Sequence, residues 1–286
     1  MDQNAATTRP TGDLGSPLPA HRRGPLRKAA PAWFLPPAAL LVLLWAVPLA
    51  SLTWRGFRAG ALPYLSDPMV IQALQLSLLT STIAALLVIA TGTPLAYALS
   101  RWEFRGRRVV EVLIDLTLVL PPSVAGVALL IAFGRRGVLG PGLSALGISL
   151  PFTTAAVVMA QMFVAAPFFV RAARLGFDAV DPQLEEAATT EGASAWQLFR
   201  YVMAPLAGPG LIGGLVLCWT RALGEFGATI LFAGNMPGRT QTMPLAIYLG
   251  FERDVGVALA LSVLLLLVSG VLLVALRRLE RAAGAG

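Results

Sequence analysis

The sequence predicts an all-α integral membrane protein with about six transmembrane helices. Of the 286 residues, 56% are hydrophobic and only 13% are charged, and the mean hydropathy is +0.73. Soluble domains carry about 25% charged residues. A bilayer core about 30 Å thick needs about 20 apolar residues per helix, and the sequence contains runs of that length. A soluble helical bundle is disfavoured because its helices keep a polar face, whereas the stretch 257–276 is apolar all round.

Six apolar windows are long enough to span a bilayer. They are 32–52, 71–99, 114–133, 152–170, 205–232 and 255–276. Pro121 and Pro122, followed by Gly126, predict a broken or kinked helix in the third window. Small residues at the start of the fifth window predict close helix packing, either within one subunit or across a dimer; they are Gly208, Gly210, Gly213 and Gly214.

The distribution of positive charge predicts the orientation. Placing the N-terminus in the cytoplasm puts 15 of the 22 basic residues inside and six outside, with Arg221 in the membrane. This excess follows the positive-inside rule, so the net charge of +7 needs no nucleic-acid partner. We therefore expect a multi-pass protein of the cytoplasmic (inner) membrane, surrounded by lipid, with both termini cytoplasmic. Residues 1–31 lack an apolar period and are predicted to be a disordered tail, and 277–286 a C-terminal cytoplasmic tail.

Few residues are suited to enzyme chemistry. The chain has one histidine, in the N-terminal tail, one cysteine, Cys218, inside an apolar run, and no cluster of metal ligands. We predict no catalytic residues and no metal site. A P-loop needs GxxxxGK[ST], and the only lysine is Lys28 in PLRKAA. The sequence therefore predicts no ATP site in this chain.

A polar segment, 185–206, interrupts the apolar sequence between the fourth and fifth windows. Asp181 is suited to cap a first short helix, which Gly192 would end. Ser194 and Gln197 match the capping box SxxQ, which predicts the start of a second helix. The segment is thus predicted to form helix, glycine corner and helix at the membrane surface. An ordinary interfacial loop is the alternative.

A motif within this segment points to a family. Glu186, Ala187, Ala188 and Gly192 spell EAAxxxG, and after nine residues Val202, Met203, Ala204 and Pro205 follow. The pattern resembles the EAA loop of ABC importer permeases, EAAxxxG and then IxLP, with Val202 and Ala204 as departures. The resemblance implies an ABC importer permease fold with a coupling loop, residues 178–204, that docks on a cytoplasmic ATPase. The ATPase-coupling residues would be Glu186, Ala187, Ala188, Gly192 and Pro205.

Two further stretches narrow the resemblance. Residues 117–141 and 220–248 resemble the molybdate ABC transporter permease subunit, with sulfate permeases as the nearest relatives. The likeness covers 72–276, which leaves 32–52 as an additional N-terminal helix before a permease transmembrane domain, 71–276. It implies a molybdate importer, with sulfate or tungstate as alternative cargo. A less favoured alternative is an ion-coupled secondary transporter, which needs no ATPase.

The same resemblance implies partners. They are cytoplasmic ATP-binding subunits, an extracytoplasmic molybdate-binding protein and a second copy of this chain. ATP and magnesium would be bound by the ATP-binding subunits, and this chain would hold no cofactor.

Polar residues in and after the fifth window are candidates for the translocation pathway. Arg221 and Glu225 lie one helical turn apart, and charges at bilayer depth are costly unless they are paired or meet water. Arg221 would draw a tetrahedral dianion along the path while Glu225 holds its guanidinium, or the two form a purely structural ion pair. Polar side chains in the predicted outer loop would meet a binding protein or close the mouth; these are Asn235, Arg239, Thr240 and Gln241. The alternative for them is a solvated turn.

Overall fold

The computed structural model describes residues 33, 35–58 and 61–283. Over these residues the regular secondary structure is helical and contains no strand, which confirms the all-α prediction. The chain divides into two compact units, the first ending at Pro48 and the second beginning at Leu49. The predicted tail, 1–31, lies outside the described residues.

Fourteen α-helices and one π-helical turn are found in the described part of the chain. They are α1 (Leu35–Arg58), α2 (Ala61–Tyr64), α3 (Pro68–Arg101), α4 (Arg107–Val119), α5 (Pro122–Phe133), α6 (Gly140–Ala145), α7 (Thr154–Asp178), α8 (Pro182–Thr190), α9 (Ala195–Leu198), the π-helical turn Phe199–Met203, α10 (Ala204–Leu206), α11 (Gly208–Leu223), α12 (Gly227–Phe232), α13 (Met243–Arg253) and α14 (Val255–Ala283).

Four of these helices are long and apolar enough to cross a membrane: α1, α3, α7 and the part of α14 that covers Val255–Ala275. A fifth candidate is the pair Ala195–Leu206 and Gly208–Leu223, which is bent by 71°. The predicted count of six is therefore not confirmed. The window 114–133 is divided between α4 and the 12-residue α5. The window 205–232 is likewise divided, between α11 and α12.

The break between α4 and α5 has a local cause. Proline has no N–H to donate to the preceding turn, and it disfavours helical geometry in the residue before it. Leu120 and Pro121 are extended, with ψ of 127° and 135°, and α5 restarts with Pro122 in its first turn. The predicted kink is thus a complete interruption of the helix.

The largest apolar cluster joins α3, α7 and α11. Its buried side chains include Val88 and Leu99 from α3, Phe169 and Phe177 from α7, and Cys218 from α11. The single cysteine is buried among apolar groups and packs as a small hydrophobic residue. This cluster extends to Leu198 and Met203, so it also supports the coupling loop.

Two glycines allow α7 and α11 to touch through their backbones. A Cβ atom on Gly210 would lie 2.6 Å from the Cα of Gly176 and 3.0 Å from the carbonyl oxygen of Ala172. Gly214, one turn later, would meet the carbonyl oxygen of Phe169 at 3.1 Å. Gly210 and Gly214 therefore serve packing within one chain. The contact joins the helix that precedes the coupling loop to the helix that follows it.

Gly210→Ala is expected to destabilise the protein by about 2 kcal/mol, because the added methyl group overlaps the backbone of α7. Gly208→Ala is the matched control, since a Cβ at that position meets nothing within 4 Å. The measurement is the apparent melting temperature of each purified variant in detergent. Equal melting temperatures for the two variants would contradict the close crossing.

At the other end of the bundle, α12 packs against α5 and α7. A Cβ on Gly126 would lie 2.9 Å from the Cα of Ala228, so α5 and α12 also approach through a glycine. Phe232 is fully buried in a cluster with residues of α7. After α13, the helix α14 continues to Ala283, through the predicted start of the C-terminal tail at 277.

Candidate functional site

The first half of the coupling loop is α8. The Oδ1 atom of Asp181 accepts a hydrogen bond from the amide of Gln183 at 2.9 Å, which caps the helix as predicted. The chain turns at Gly192, whose φ of +88° is left-handed. The amide of Ala193 donates to the carbonyl of Ala188 at 3.0 Å and closes the turn. The predicted glycine corner is confirmed.

The second half begins with the predicted capping box. The Oγ of Ser194 accepts from the amide of Gln197 at 3.3 Å, and the Oε1 of Gln197 accepts from the amide of Ser194 at 2.8 Å. After α9 the helix widens into the π-helical turn Phe199–Met203. Pro205 follows in α10, where it has no amide hydrogen to donate to the preceding turn of the helix. Helix, corner and helix are therefore all present.

Most of the motif residues face away from the protein. Glu186, Ala187, Gly192 and Pro205 are exposed, whereas Ala188 is half-buried against the main apolar cluster. Large apolar side chains lie exposed in and beside the loop; they are Leu184, Trp196, Tyr201 and Leu206. Exposed aromatic side chains at 68% and 72%, beside a small-residue motif, are typical of a surface that another protein covers.

Gly192→Val is expected to loosen the second helix of the loop, because a β-branched residue in left-handed geometry costs about 1 to 2 kcal/mol. We expect amide hydrogen exchange over 193–198 to accelerate about tenfold. Gly192→Asn is the matched control, because asparagine tolerates this geometry and a Cβ there meets nothing within 4 Å. Similar exchange in the two variants would show that backbone conformation at Gly192 does not hold the loop.

Two residues that the sequence analysis did not single out fix the base of the loop. Arg101, the last residue of α3, forms an ion pair with Glu185 of α8. Its Nη2 atom also donates to the carbonyl of Phe177 at 2.9 Å and to that of Val180 at 3.1 Å. No motif spacing links residues this far apart in the chain. Two features of the sequence were available to indicate this pair: Arg101 is a basic residue just after the apolar window 71–99, and Glu185 is an acid directly before the EAA motif.

Arg221 and Glu225 do face each other. The Nη1 of Arg221 lies 2.7 Å from the Oε2 of Glu225, and the other carboxylate oxygen accepts from the amide of Ala228 at 2.8 Å. The Glu225 side chain is fully buried, whereas that of Arg221 is 28% exposed. The Arg221 side chain is therefore only partly covered by the described chain, and the carboxylate of Glu225 pairs with its guanidinium and caps the start of α12.

The other pathway candidates are less accessible than expected. Thr240 is fully buried and Gln241 is 2% exposed, so they are not part of a solvated turn. The Oγ1 of Thr240 accepts from the amide of Met236 at 2.9 Å, and the Nδ2 of Asn235 donates to the carbonyl of Leu245 at 3.4 Å. Within the described residues, no hydrogen bond joins this group to Arg221. In this conformation, Thr240 and Gln241 offer almost no surface to an anion or a protein.

The loop that carries these residues and the start of α13, which follows it, are tied to two long helices. The amide of Met243 donates to the Oγ of Ser77 in α3 at 2.7 Å. The Oγ1 of Thr154 in α7 donates to the carbonyl of Arg239 at 2.9 Å. Movement of α3 or α7 along its axis would therefore reach this loop directly.

No group of three or more His, Cys, Asp or Glu side chains able to hold a metal ion occurs over residues 35–58 and 61–283.

Comparison with known proteins assigns the fold and the family. Residues 89–283 match the family described as "Binding-protein-dependent transport system inner membrane component". The chain is 41% identical to the molybdenum transport system permease protein ModB of Mycobacterium tuberculosis, over 84% of this chain and 90% of that protein. It is 33% identical to the sulfate transport system permease protein CysT of Escherichia coli, over 81% and 83% of the two chains.

A solved structure agrees with this assignment at the level of fold. It is a chain from a bacterial ABC transporter involved in the import of the acidic polysaccharide alginate. The match has a TM-score of 0.71 and 17% identity, and it covers 87% of this chain and 94% of the other. The predicted ABC importer permease fold is confirmed.

Proposed function

Because the chain belongs to the family of binding-protein-dependent transport system inner membrane components, we propose that it is the membrane-spanning subunit of an ATP-driven importer of molybdate. The single structural observation that supports coupling to an ATPase is the exposed coupling loop. Glu186, Ala187 and two aromatic side chains face away from a base that is tied to the transmembrane helices.

In the proposed complex, the coupling loop docks in a groove of a cytoplasmic ATP-binding subunit. Ala187 and Gly192 permit close approach because they carry little bulk, and the exposed Glu186 meets a basic group of the partner. Ala188 anchors the same helix to the transmembrane core, and Pro205 marks where the chain re-enters it. ATP binding draws two such loops together and hydrolysis releases them. ATP and magnesium belong to the partner subunit.

The family assignment also supports a proposal for the other components of the importer and for the topology of this chain. We propose a dimer of this chain, an extracytoplasmic molybdate-binding protein, and a topology with both termini in the cytoplasm. The anion crosses without any change in its covalent bonds. Arg221 is the proposed pathway contact, since it is a cation whose side chain is 28% exposed, and Glu225 is its positioning partner. Asn235, Thr240 and Gln241 act by shaping the loop over the path.

Molybdate is favoured over sulfate by sequence similarity. Identity to the molybdenum permease ModB is 41%, against 33% for the sulfate permease CysT, over similar shares of this chain. Both anions, like tungstate, are tetrahedral dianions, and one guanidinium cannot separate them by charge. Sulfate import is the second candidate function.

The test is ATP hydrolysis and anion uptake by the complex of this chain with its ATP-binding subunit and binding protein, reconstituted in vesicles. Molybdate, tungstate and sulfate are supplied in turn. We expect molybdate to stimulate hydrolysis at far lower concentration than sulfate. Preference for sulfate would assign the second candidate. Uptake that needs no ATP-binding subunit would overturn the importer and indicate an ion-coupled transporter.

A further inference from the structure

The end of α3 contacts the coupling loop with two side chains that lie one helical turn apart. Arg101 binds Glu185 and the carbonyls of Phe177 and Val180. Tyr97 packs edge-on against Phe177 and Phe199, with ring centroids 5.3 Å apart in both cases. These contacts join α3 to the helix before the loop, to α8 and to the π-helical turn. We call this group the α3 latch.

The latch is partly shielded from solvent. The side chains of Arg101 and Glu185 are 17% and 19% exposed, unlike the surface pair Arg171–Asp115, whose side chains are 58% and 55% exposed. Exposed pairs contribute little because water screens them and their long side chains stay mobile. An ion pair that is largely buried, with its guanidinium also bound to two carbonyls, holds a defined geometry. A displacement of α8 therefore displaces Arg101.

Two neighbouring acids in α8 have different surroundings. Glu186, in the EAA motif, is exposed and available to a partner. Glu185, one residue earlier, turns inward to Arg101. One short helix thus presents a carboxylate to each side, which suits an element that receives a force on one face and passes it on from the other.

The first third of α3 contacts the start of α13, the helix that follows the polar loop beside the proposed path. Ser77 accepts from the amide of Met243 at 2.7 Å. At about 1.5 Å per residue, the helix rises about 36 Å between Ser77 and Arg101. It is one continuous α-helix over this distance, and Pro94, seven residues before Arg101, removes one of its backbone hydrogen bonds. Axial motion or rotation at one end therefore reaches the other.

We propose that Arg101 is a positioning residue that transmits movement of the coupling loop to α3, and through α3 to the loop at Asn235–Gln241. This inference rests on the proposed function, because it assigns a route to the coupling of ATP hydrolysis to transport. The carboxylate of α8 that pairs with Arg101 belongs to Glu185 and not to the motif residue Glu186.

The test is the number of molybdate ions taken up per ATP hydrolysed by the reconstituted complex. The variants are Arg101→Lys, Arg101→Glu, Glu185→Gln and the swap Arg101→Glu with Glu185→Arg. Lysine keeps the charge but lacks the planar guanidinium, whose Nε faces the carboxylate while Nη2 donates to both carbonyls. We expect each single variant to assemble and to hydrolyse ATP, with transport per ATP reduced about tenfold or more. The swap restores part of the ion pair, so we expect it to transport more than Arg101→Glu alone.

The matched control is Asp115→Asn, which removes an interhelical ion pair between α4 and α7 that makes no contact with the loop. We expect its transport per ATP to match that of the unaltered protein. Unchanged coupling in Arg101→Lys and Glu185→Gln would overturn the inference, as would loss of assembly in every latch variant, which would assign a purely structural role. Absence of ATP-dependent uptake in the unaltered complex would instead overturn the proposed function.

Discussion

Glu186→Arg is expected to abolish ATP-driven molybdate uptake while the protein still folds and inserts in the membrane. The side chain is exposed and makes no ion pair among the described residues, so reversing its charge breaks no ion pair inside the chain. In the proposed complex it would place like charges together in a closed interface. Such contacts cost several kcal/mol, which corresponds to a loss of docking of about 100-fold or more.

The measurement is the affinity of the purified ATP-binding subunit for this chain in lipid nanodiscs, together with uptake by the complex. Glu191→Arg is the matched control, because Glu191 is also an exposed acid of the same loop but lies outside the EAA triplet. We expect it to keep most of the affinity. Normal docking and uptake with Glu186→Arg would show that the coupling loop is not part of the ATPase interface.

The second large effect is expected at Arg221. Arg221→Met leaves the fully buried carboxylate of Glu225 without its cation, which is expected to destabilise the protein by about 3 kcal/mol. The double variant Arg221→Met with Glu225→Gln removes both charges and keeps an oxygen to accept from the amide of Ala228. We expect it to recover most of the lost stability, because replacing a whole buried pair is often nearly neutral.

Transport by the double variant distinguishes the two roles of the pair. If the guanidinium contacts the anion, uptake stays reduced about tenfold or more although the fold is restored. If the pair only fixes helix packing, uptake returns with stability. The two measurements are the apparent melting temperature in detergent and the initial rate of molybdate uptake at saturating ATP. Thr229→Val, at a buried neutral polar position of α12, controls for general effects of polarity near the pair.

The features predicted correctly from the sequence are those encoded within a few neighbouring residues. The cap at Asp181 and the capping box at Ser194 and Gln197 each depend on a side chain and an amide two or three positions away. The corner at Gly192 depends on one residue that adopts a positive φ. Hydropathy likewise located the long helices, because an apolar run of sufficient length carries its own signal.

The features that the sequence did not reveal depend on tertiary contacts. Hydropathy does not detect a change in the direction of the chain. It therefore predicted one continuous window for α4 and α5 and another for α11 and α12, although each pair is interrupted. The α3 latch joins residues on separate helices, and no spacing rule connects Arg101 with Glu185. Burial of Thr240 and Gln241 also escaped prediction, because glycine- and proline-rich polar segments are usually solvated turns.

The glycine contact between α7 and α11 has a mechanical consequence. Gly176 and Gly210 touch where the chain leaves the transmembrane bundle for the coupling loop and where it returns. The loop is therefore closed at its base, and a pull on its tip cannot lengthen it by separating its two ends. The force acts instead as a torque about that contact. A pair of fluorescent labels, one on the loop and one on α3, would then report a rotation of the loop as a rigid body, without an increase in the distance between its two ends.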